Sequence, residues 1–207
     1  MNPSELDARL IEIGAKLGLP LSAAARHQLI HYLQLLQQWN LVYNLTAIRD
    51  PQQMLIKHIA DSLSIASKLQ GTHCLDVGTG AGLPGVPLAI VNPEQQWTLL
   101  DSNSKKTRFL IQVKGLLKLH QVEVITMRVE DYQPKQLFDV ITTRAWSQMQ
   151  VMVEATRHLL QPTGHLYAMK GRYPNEELQN LQQSYQVWPI TVPFLAEERH
   201  LVCIPGK

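Results

Sequence analysis

The sequence predicts an α/β protein: an open, mostly parallel sheet with helices on both faces, a helical segment before it and an antiparallel hairpin after it. Three observations predict this. Helical periodicity gives way near residue 71 to alternating strands and helices. A glycine-rich loop stands at the first strand-to-helix turn. The last two β-rich runs have no helix between them.

In the first section Leu6, Leu10, Ile13 and Leu17 recur at helical spacing, with Ser4 and Asp7 placed as a capping box. A second helix follows Ser22 and carries Leu29, Leu33 and Leu36 on one stripe. Asp50 as N-cap and Pro51 at the first helical position open a third. Residues 1–70 therefore read as a helical N-terminal extension packed on the core. From Gly71 the strand candidates are 72–77, 97–101, 122–127, 138–143 and 164–169, and the helix candidates 86–91, 105–119, 147–160 and 174–183. This is the rhythm of βαβ units. Segments 185–194 and 199–204 can pair with each other only as a hairpin. Residues 71–207 thus read as one domain. Its plan, a doubly wound sheet ending in a hairpin, is that of a Rossmann-like class I methyltransferase and not the usual one of a dehydrogenase.

Composition sets bounds. The 207 residues, 45% of them hydrophobic and 17% charged, can bury a continuous core. No apolar stretch approaches the ~18 residues needed to span a bilayer. Met1 to Leu10 lacks the basic-then-apolar pattern of a signal peptide, so a cytoplasmic address is expected. Cys74 and Cys203 have neither disulfide-framework nor zinc spacing and read as reduced core residues. The net charge of +2 is too small for binding nucleic acid by charge alone, so an RNA partner requires a local basic patch. No metal is expected: His27 and His31 have i, i+4 spacing but no evident third ligand, and read as an exposed face.

The strongest motif runs from Asp76 to Gly85 and includes Gly78, Gly80, Gly82 and Leu83. Glycines let the backbone turn sharply and approach a ligand closely. Asp101 ends the next strand, at a spacing that suits a carboxylate bonding ribose hydroxyls. These features fit a dinucleotide or S-adenosylmethionine. Asp76 favours the latter: a carboxylate beside a pyrophosphate is repelled, whereas an ammonium and a sulfonium are attracted to it. Pro87 places the helix start near Val86, giving a longer loop than a pyrophosphate turn wants.

The acceptor can be narrowed by elimination. Exocyclic amines usually require an Asn/Asp-Pro-Pro-aromatic loop after the fourth strand, where this chain has Thr142-Thr143-Arg144-Ala145-Trp146. A pyrimidine carbon requires a cysteine nucleophile, and neither cysteine is placed for it. A hydroxyl acceptor would need a base; Lys170 ends the fifth strand and could serve. Guanine N7 needs no deprotonation, leaving only alignment of the reactants to the enzyme.

Other residues carry two readings. Arg144 follows a strand and suits a ligand site or a surface ion pair. Lys170 and Arg172 could hold phosphate or be merely solvated. Trp39 and Tyr43 could stack on bases, or pack the helical segment on the sheet. His58 with Asp61 could be catalytic, or a hydrogen-bonded pair anchoring that segment. Arg199 and His200 open the final strand and could face RNA or the rim of the site.

The residues also carry a resemblance. Trp39-Asn40-Leu41-Val42-Tyr43-Asn44-Leu45-Thr46, Lys57-His58-Ile59-Ala60-Asp61-Ser62 and the loop ending Gly82-Leu83-Pro84-Gly85-Val86-Pro87-Leu88-Ala89-Ile90 resemble the ribosomal RNA small subunit methyltransferase G family, also called the glucose-inhibited division protein B family. So do Leu99-Leu100-Asp101-Ser102, Arg128-Val129-Glu130, Thr143-Arg144-Ala145, Lys170-Gly171 and Glu198-Arg199-His200-Leu201, in order along essentially the whole chain. The resemblance implies a bacterial cytoplasmic enzyme that uses S-adenosylmethionine to make 7-methylguanosine in the decoding-region loop of 16S ribosomal RNA. Its substrate would be that RNA within the small subunit or an assembly intermediate. It implies that Gly78 and Leu83 belong to the cofactor loop, that Val129 and Glu130 border the adenine, and that Arg144 lies near the methionine end and the acceptor. Ala81 stands where relatives often have proline, which is expected to alter loop stiffness. An NAD-dependent oxidoreductase and a non-catalytic RNA-binding module on the same fold are the competing readings.

Overall fold

A computed structural model describes residues 2–144 and 148–206. Ala145 and Trp146 of the acceptor-loop reading, and Ser147 at the start of helix candidate 147–160, lie outside the described residues.

Helix α1 spans Pro3–Leu17 and α2 Ala23–Tyr43. The first cap differs from expectation: the capping box joins Asn2 and Glu5, not Ser4 and Asp7, because Pro3 takes the first helical position and moves the start upstream. Ser22 caps α2 as expected. Asp50 caps α3, Pro51–Met54, which runs on through a π-helical stretch, Leu55–Ala60, into α4, Asp61–Leu63.

The strands are β1 His73–Val77, β2 Gln96–Asp101, β3 Val122–Thr126, β4 Phe138–Thr143, β5 Leu160–Lys170, β6 Gln186–Pro189 and β7 His200–Pro205. Between them lie α5 Gly85–Val91, α6 Ser104–Leu117, α7 Met149–Thr156 and α8 Asn175–Gln179. The last two helices are shorter than their candidates; α7 tightens into a 3-10 turn over Arg157–Leu159. Strand β6 stops at Pro189, short of its candidate; the Ile190 N–H still donates to the Arg199 carbonyl at 2.8 Å, and farther along Phe194 takes a left-handed φ of 65°.

The sheet order is β3-β2-β1-β4-β5-β7-β6. The first five strands are parallel; β7 is antiparallel to both β5 and β6. The expected hairpin is therefore present, inserted with its second strand next to β5.

Strand alternation divides the core into two layers. Cys74, Leu99, Val140, Tyr167, Leu201 and Cys203 face one layer with α5 and α6. Leu75, Val77, Leu100, Ile141, Leu166 and Val202 face the other with α7 and α8. The first layer also contains Leu6, Leu10 and Ile13 of α1 and Leu29, Leu33 and Leu36 of α2. The N-terminal helices thus share the core of one sheet face. Among the described residues no helix is long and apolar enough to cross a membrane.

Candidate active site

The chain leaves β1 for β2 on one side and later for β4 on the other, so a crevice opens beyond the carboxyl ends of β1 and β4. The glycine loop rims it. The N–H groups of Gly78 and Thr79 both donate to the carbonyl of Leu100, at 2.9 and 3.1 Å, tying the loop to the end of β2. Gly80 donates its N–H to Asp101 Oδ2 at 2.9 Å. Gly78 has φ 65°, and a Cβ there would meet nothing, so its backbone faces open space.

Three residues expected to contact a cofactor lie elsewhere. Asp76 is fully buried beneath the loop. Its Oδ2 accepts from Thr79 Oγ1 at 2.6 Å and from the Gly85 N–H at 2.8 Å. Burial pushes its carboxyl up to about 6, opposed by those hydrogen bonds and by the Arg144 guanidinium. Asp76 has the same strand parity as Cys74, so it points toward α5 and anchors the loop from within. Gly82 is packed so closely on Val86 and Leu110 that a Cβ would clash, and Leu83 is buried in the core.

A first cavity of about 310 Å³ lies over this rim. Gly78, Asp101, Val129 and Glu130, the candidates for cofactor contact, line it together with Ser102 and with Met127, for which the sequence offers no motif. Asp101 is nearly buried; its Oδ1 accepts from the Asn103 N–H at 2.8 Å, and Lys106 Nζ stands 3.6 Å from Oδ2. Val129 and Glu130 sit in a 3-10 turn after β3, the valine buried and the glutamate exposed.

A second cavity, about 280 Å³, is lined by Lys57, His58, Asp61, Arg144, Lys170 and Arg199, with Ile48, Met169 and Gly171 completing its wall. Arg144 belongs here, not to the first cavity. Its NH1 donates to the Lys57 carbonyl at 3.0 Å and lies 3.3 Å from Asp61 Oδ2. Arg199 Nε donates to Asp61 Oδ1 at 2.9 Å, so one buried carboxylate holds two arginines. The side chains of His58 and Asp61 are not paired with each other; Arg144 bridges them, its NH2 lying 3.5 Å from His58 Nδ1. A guanidinium only donates, so Nδ1 accepts and the ring proton sits on Nε2, donating to Thr46 Oγ1 at 2.9 Å. Burial and the neighbouring Arg144 lower the His58 pKa to about 4, so the ring is neutral near pH 7.

Two supports come from the helical segment. Tyr32 Oη, buried on α2, donates to the carbonyl of Ala81 at 2.7 Å and braces the glycine loop. Asn40 accepts from the Thr46 N–H at 2.8 Å and donates to the Ile48 carbonyl at 3.3 Å, shaping the turn that carries Thr46 to His58.

The family model described as rRNA small subunit methyltransferase G matches residues 25–202. The chain belongs to that family. Ribosomal RNA small subunit methyltransferase G of Hydrogenovibrio crunogenus is 50% identical over 200 residues, covering 95% of this chain and 93% of the relative. Its counterpart from Ectopseudomonas mendocina is 47% identical over 200 residues, covering 94% of each chain. Among solved structures, a SAM-dependent methyltransferase from Aquifex aeolicus aligns with TM-score 0.57 and 18% identity, covering 75% of this chain and 93% of that one. The N-methyltransferase NodS of Bradyrhizobium japonicum, in complex with S-adenosyl-l-homocysteine, aligns with TM-score 0.56 and 16% identity, covering 84% and 97%. These place the fold among methyltransferases. Membership of the methyltransferase G family sets aside the NAD-dependent alternative.

The remaining site candidates of this methyltransferase G member are scattered. Lys170 Nζ pairs with Glu177 at 2.7 Å on the wall of the second cavity. Arg172 is exposed and lines neither cavity. His200 Nδ1 lies 2.9 Å from the Gly171 carbonyl and its ring meets Tyr173 edge-on, outside both cavities. Trp39 packs on Phe109 of α6 at 5.5 Å and Tyr43 stacks on Trp39 at 5.0 Å, with Tyr43 partly exposed. His27 and His31 are both exposed.

Proposed function

We propose that this enzyme methylates N7 of a guanosine in the decoding-region loop of 16S ribosomal RNA, in the cytoplasm, with S-adenosylmethionine held in the first cavity. The cavity fits that cofactor. The side-chain-free backbone of Gly78 permits close approach of a nucleoside, the Asp101 carboxylate sits where ribose hydroxyls need acceptors, and Val129 offers an apolar edge for an adenine beside Glu130. Bound there, S-adenosylmethionine supplies an electrophilic methyl group on a sulfonium sulfur. Asp76, Gly82 and Leu83 shape the loop from behind.

The observation that carries the N7 reading is the state of the groups in the second cavity. Asp61 is held by two arginines, the His58 Nδ1 lone pair is taken by Arg144, and Lys170 is paired with Glu177. Among the described residues lining it, every group able to take a proton is engaged. An acceptor whose lone pair is free at neutral pH suits such a site, and the protein's work is then alignment. Arg144 is a positioning residue: it can grip guanine O6 or a phosphate but cannot occupy N7 while N7 attacks.

The test is mass mapping of modified guanosines in small-subunit ribosomal RNA from cells with and without the protein. Loss of one 7-methylguanosine in the decoding region is expected. An unchanged map would overturn the reading. Single-turnover transfer at saturating RNA should be nearly flat from pH 6 to 9. A tenfold rise per pH unit that vanishes in Lys170→Ala would make Lys170 a base and replace the N7 mechanism.

A further inference from the structure

The rim of the second cavity holds an arrangement that alignment of a base does not need. The exposed carboxylate of Glu197 receives a cation on each oxygen: Lys57 Nζ stands 2.6 Å from Oε1, and Arg199 NH2 3.1 Å from Oε2. Lys57 comes from the π-helical stretch and Arg199 from the end of the β6–β7 connection, so two separate parts of the chain converge on this one anion. Both cations line the cavity; Glu197 does not. The two contacts hold its carboxyl below the usual glutamate range, Lys57 most strongly.

The neighbouring acids differ. Asp61 is buried and its two oxygens hold Arg144 and Arg199 in fixed places, so it cannot leave without stranding charge. Glu197 is 54% exposed, and ion pairs at such positions contribute little net stability. It can swing into water at small cost. Arg199 would stay oriented, because its Nε remains on Asp61 and its NH1 on the Glu198 carbonyl. What remains is a lysine and a preset arginine spaced around an anion of two oxygens. The two non-bridging oxygens of a phosphodiester present the same motif to a guanidinium and an ammonium.

We propose that Lys57 and Arg199 form a clamp for one backbone phosphate of the substrate RNA, and that Glu197 occupies it as a displaceable stand-in until RNA arrives. This rests on the ribosomal RNA reading above and names a contact within it. The stand-in keeps both side chains ordered, so less freedom is lost when RNA binds. It also makes any anion compete with an intramolecular carboxylate, which disfavours stray phosphate and loosely held RNA.

The experiment measures binding of small ribosomal subunits purified from cells lacking the protein, and methyl transfer to their 16S ribosomal RNA, by wild type and by Glu197→Gln, Glu198→Gln, Lys57→Gln and the double variant Lys57→Gln/Glu197→Gln. Glu197→Gln should bind about two- to tenfold tighter at moderate salt, the range expected for releasing exposed ion pairs. The gain should disappear in the double variant. Glu198→Gln removes the same charge one residue away, where the carboxylate touches neither cation, and should gain clearly less. Equal or weaker binding by Glu197→Gln, an equal gain from Glu198→Gln, or a gain that survives loss of Lys57 would each overturn the clamp. Should wild type neither bind nor methylate this RNA while still binding S-adenosylmethionine, the ribosomal RNA reading itself falls and takes the clamp with it. Normal wild-type methylation with no gain in Glu197→Gln refutes the clamp alone.

Discussion

Replacing Asp101 by alanine removes an acceptor from the first cavity and also frees the Gly80 and Asn103 N–H groups that it holds. Cofactor affinity should fall by ~1–3 kcal/mol, the cost of a charge-assisted hydrogen bond, in a protein that remains folded. Calorimetric titration with S-adenosylmethionine checks this; unchanged affinity would remove Asp101 from the site. His58 makes a prediction about pH. Its folded pKa, about 4, lies below the ordinary histidine value of 6.5, so the unfolded chain binds more protons between those values. Its contribution to stability is full above 6.5 and is lost as pH falls toward 4. Near pH 5 this amounts to about 2 kcal/mol. Asp76 opposes it, since its raised carboxyl pKa favours the folded state as pH falls from about 6 toward 4. The comparison that isolates His58 is therefore the denaturation midpoint of wild type and His58→Gln at pH 7 and pH 5; the variant should lose less on acidification. At this scale the sequence was legible where chemistry is local. Gly78, Asp101, Val129 and Glu130 follow strand ends, and all four line the cavity. Asp76 stands two steps from Cys74 and points into the same covered face, an orientation that follows from strand parity and not from its charge. The sharing of Asp61 by Arg144 and Arg199 joins residues 83 and 138 positions apart, which no local spacing can reveal.

Helix α2 connects burial to ligand binding. Tyr32 is wholly buried, and its hydroxyl finds its partner in the glycine loop, which packs in the same layer. Tyr32→Phe keeps the ring among its neighbours and strands the Ala81 carbonyl. A cost of ~1–3 kcal/mol is expected. Part of it should appear as weaker S-adenosylmethionine binding, with little change in single-turnover rate at saturating cofactor. A variant that loses stability but binds cofactor normally would make the contact a matter of packing only. The π-helical stretch places Lys57 and His58 on the same cavity, and such stretches frequently mark functional sites. The sequence foretold a helix there from Asp50 and Pro51, but the extra residue per turn depends on what the helix packs against and carries no sequence signature. Element existence was readable throughout. The ends were less so, as at α8 and β6, whose candidates run on past Gln179 and Pro189.

Across the whole molecule, the helical segment and the sheet share one apolar layer that runs from Leu6 to Cys203. A separable extension would bury its own core, and this one does not. Thermal unfolding followed by calorimetry should show a single transition, with the calorimetric and van't Hoff enthalpies in agreement. Two resolved transitions would mean that residues 1–70 fold independently. The two layers were legible from alternation and helical stripes, whereas their fusion with the N-terminal helices was expected only as packing.

The order of the last three strands also imposes a schedule. During synthesis β6 leaves the ribosome before β7, yet the neighbour it needs is β7, which alone joins it to β5. Residues 186–189 therefore wait without a partner while the edge of β5 stands open, and both are satisfied together when residues 200–205 slide between them. Until then Arg199, next to that closing strand, cannot reach Asp61. The ion pair of Arg199 with Asp61 thus depends on the final pairing of the sheet, and under the proposed clamp a nascent chain that lacks it has no finished grip on RNA.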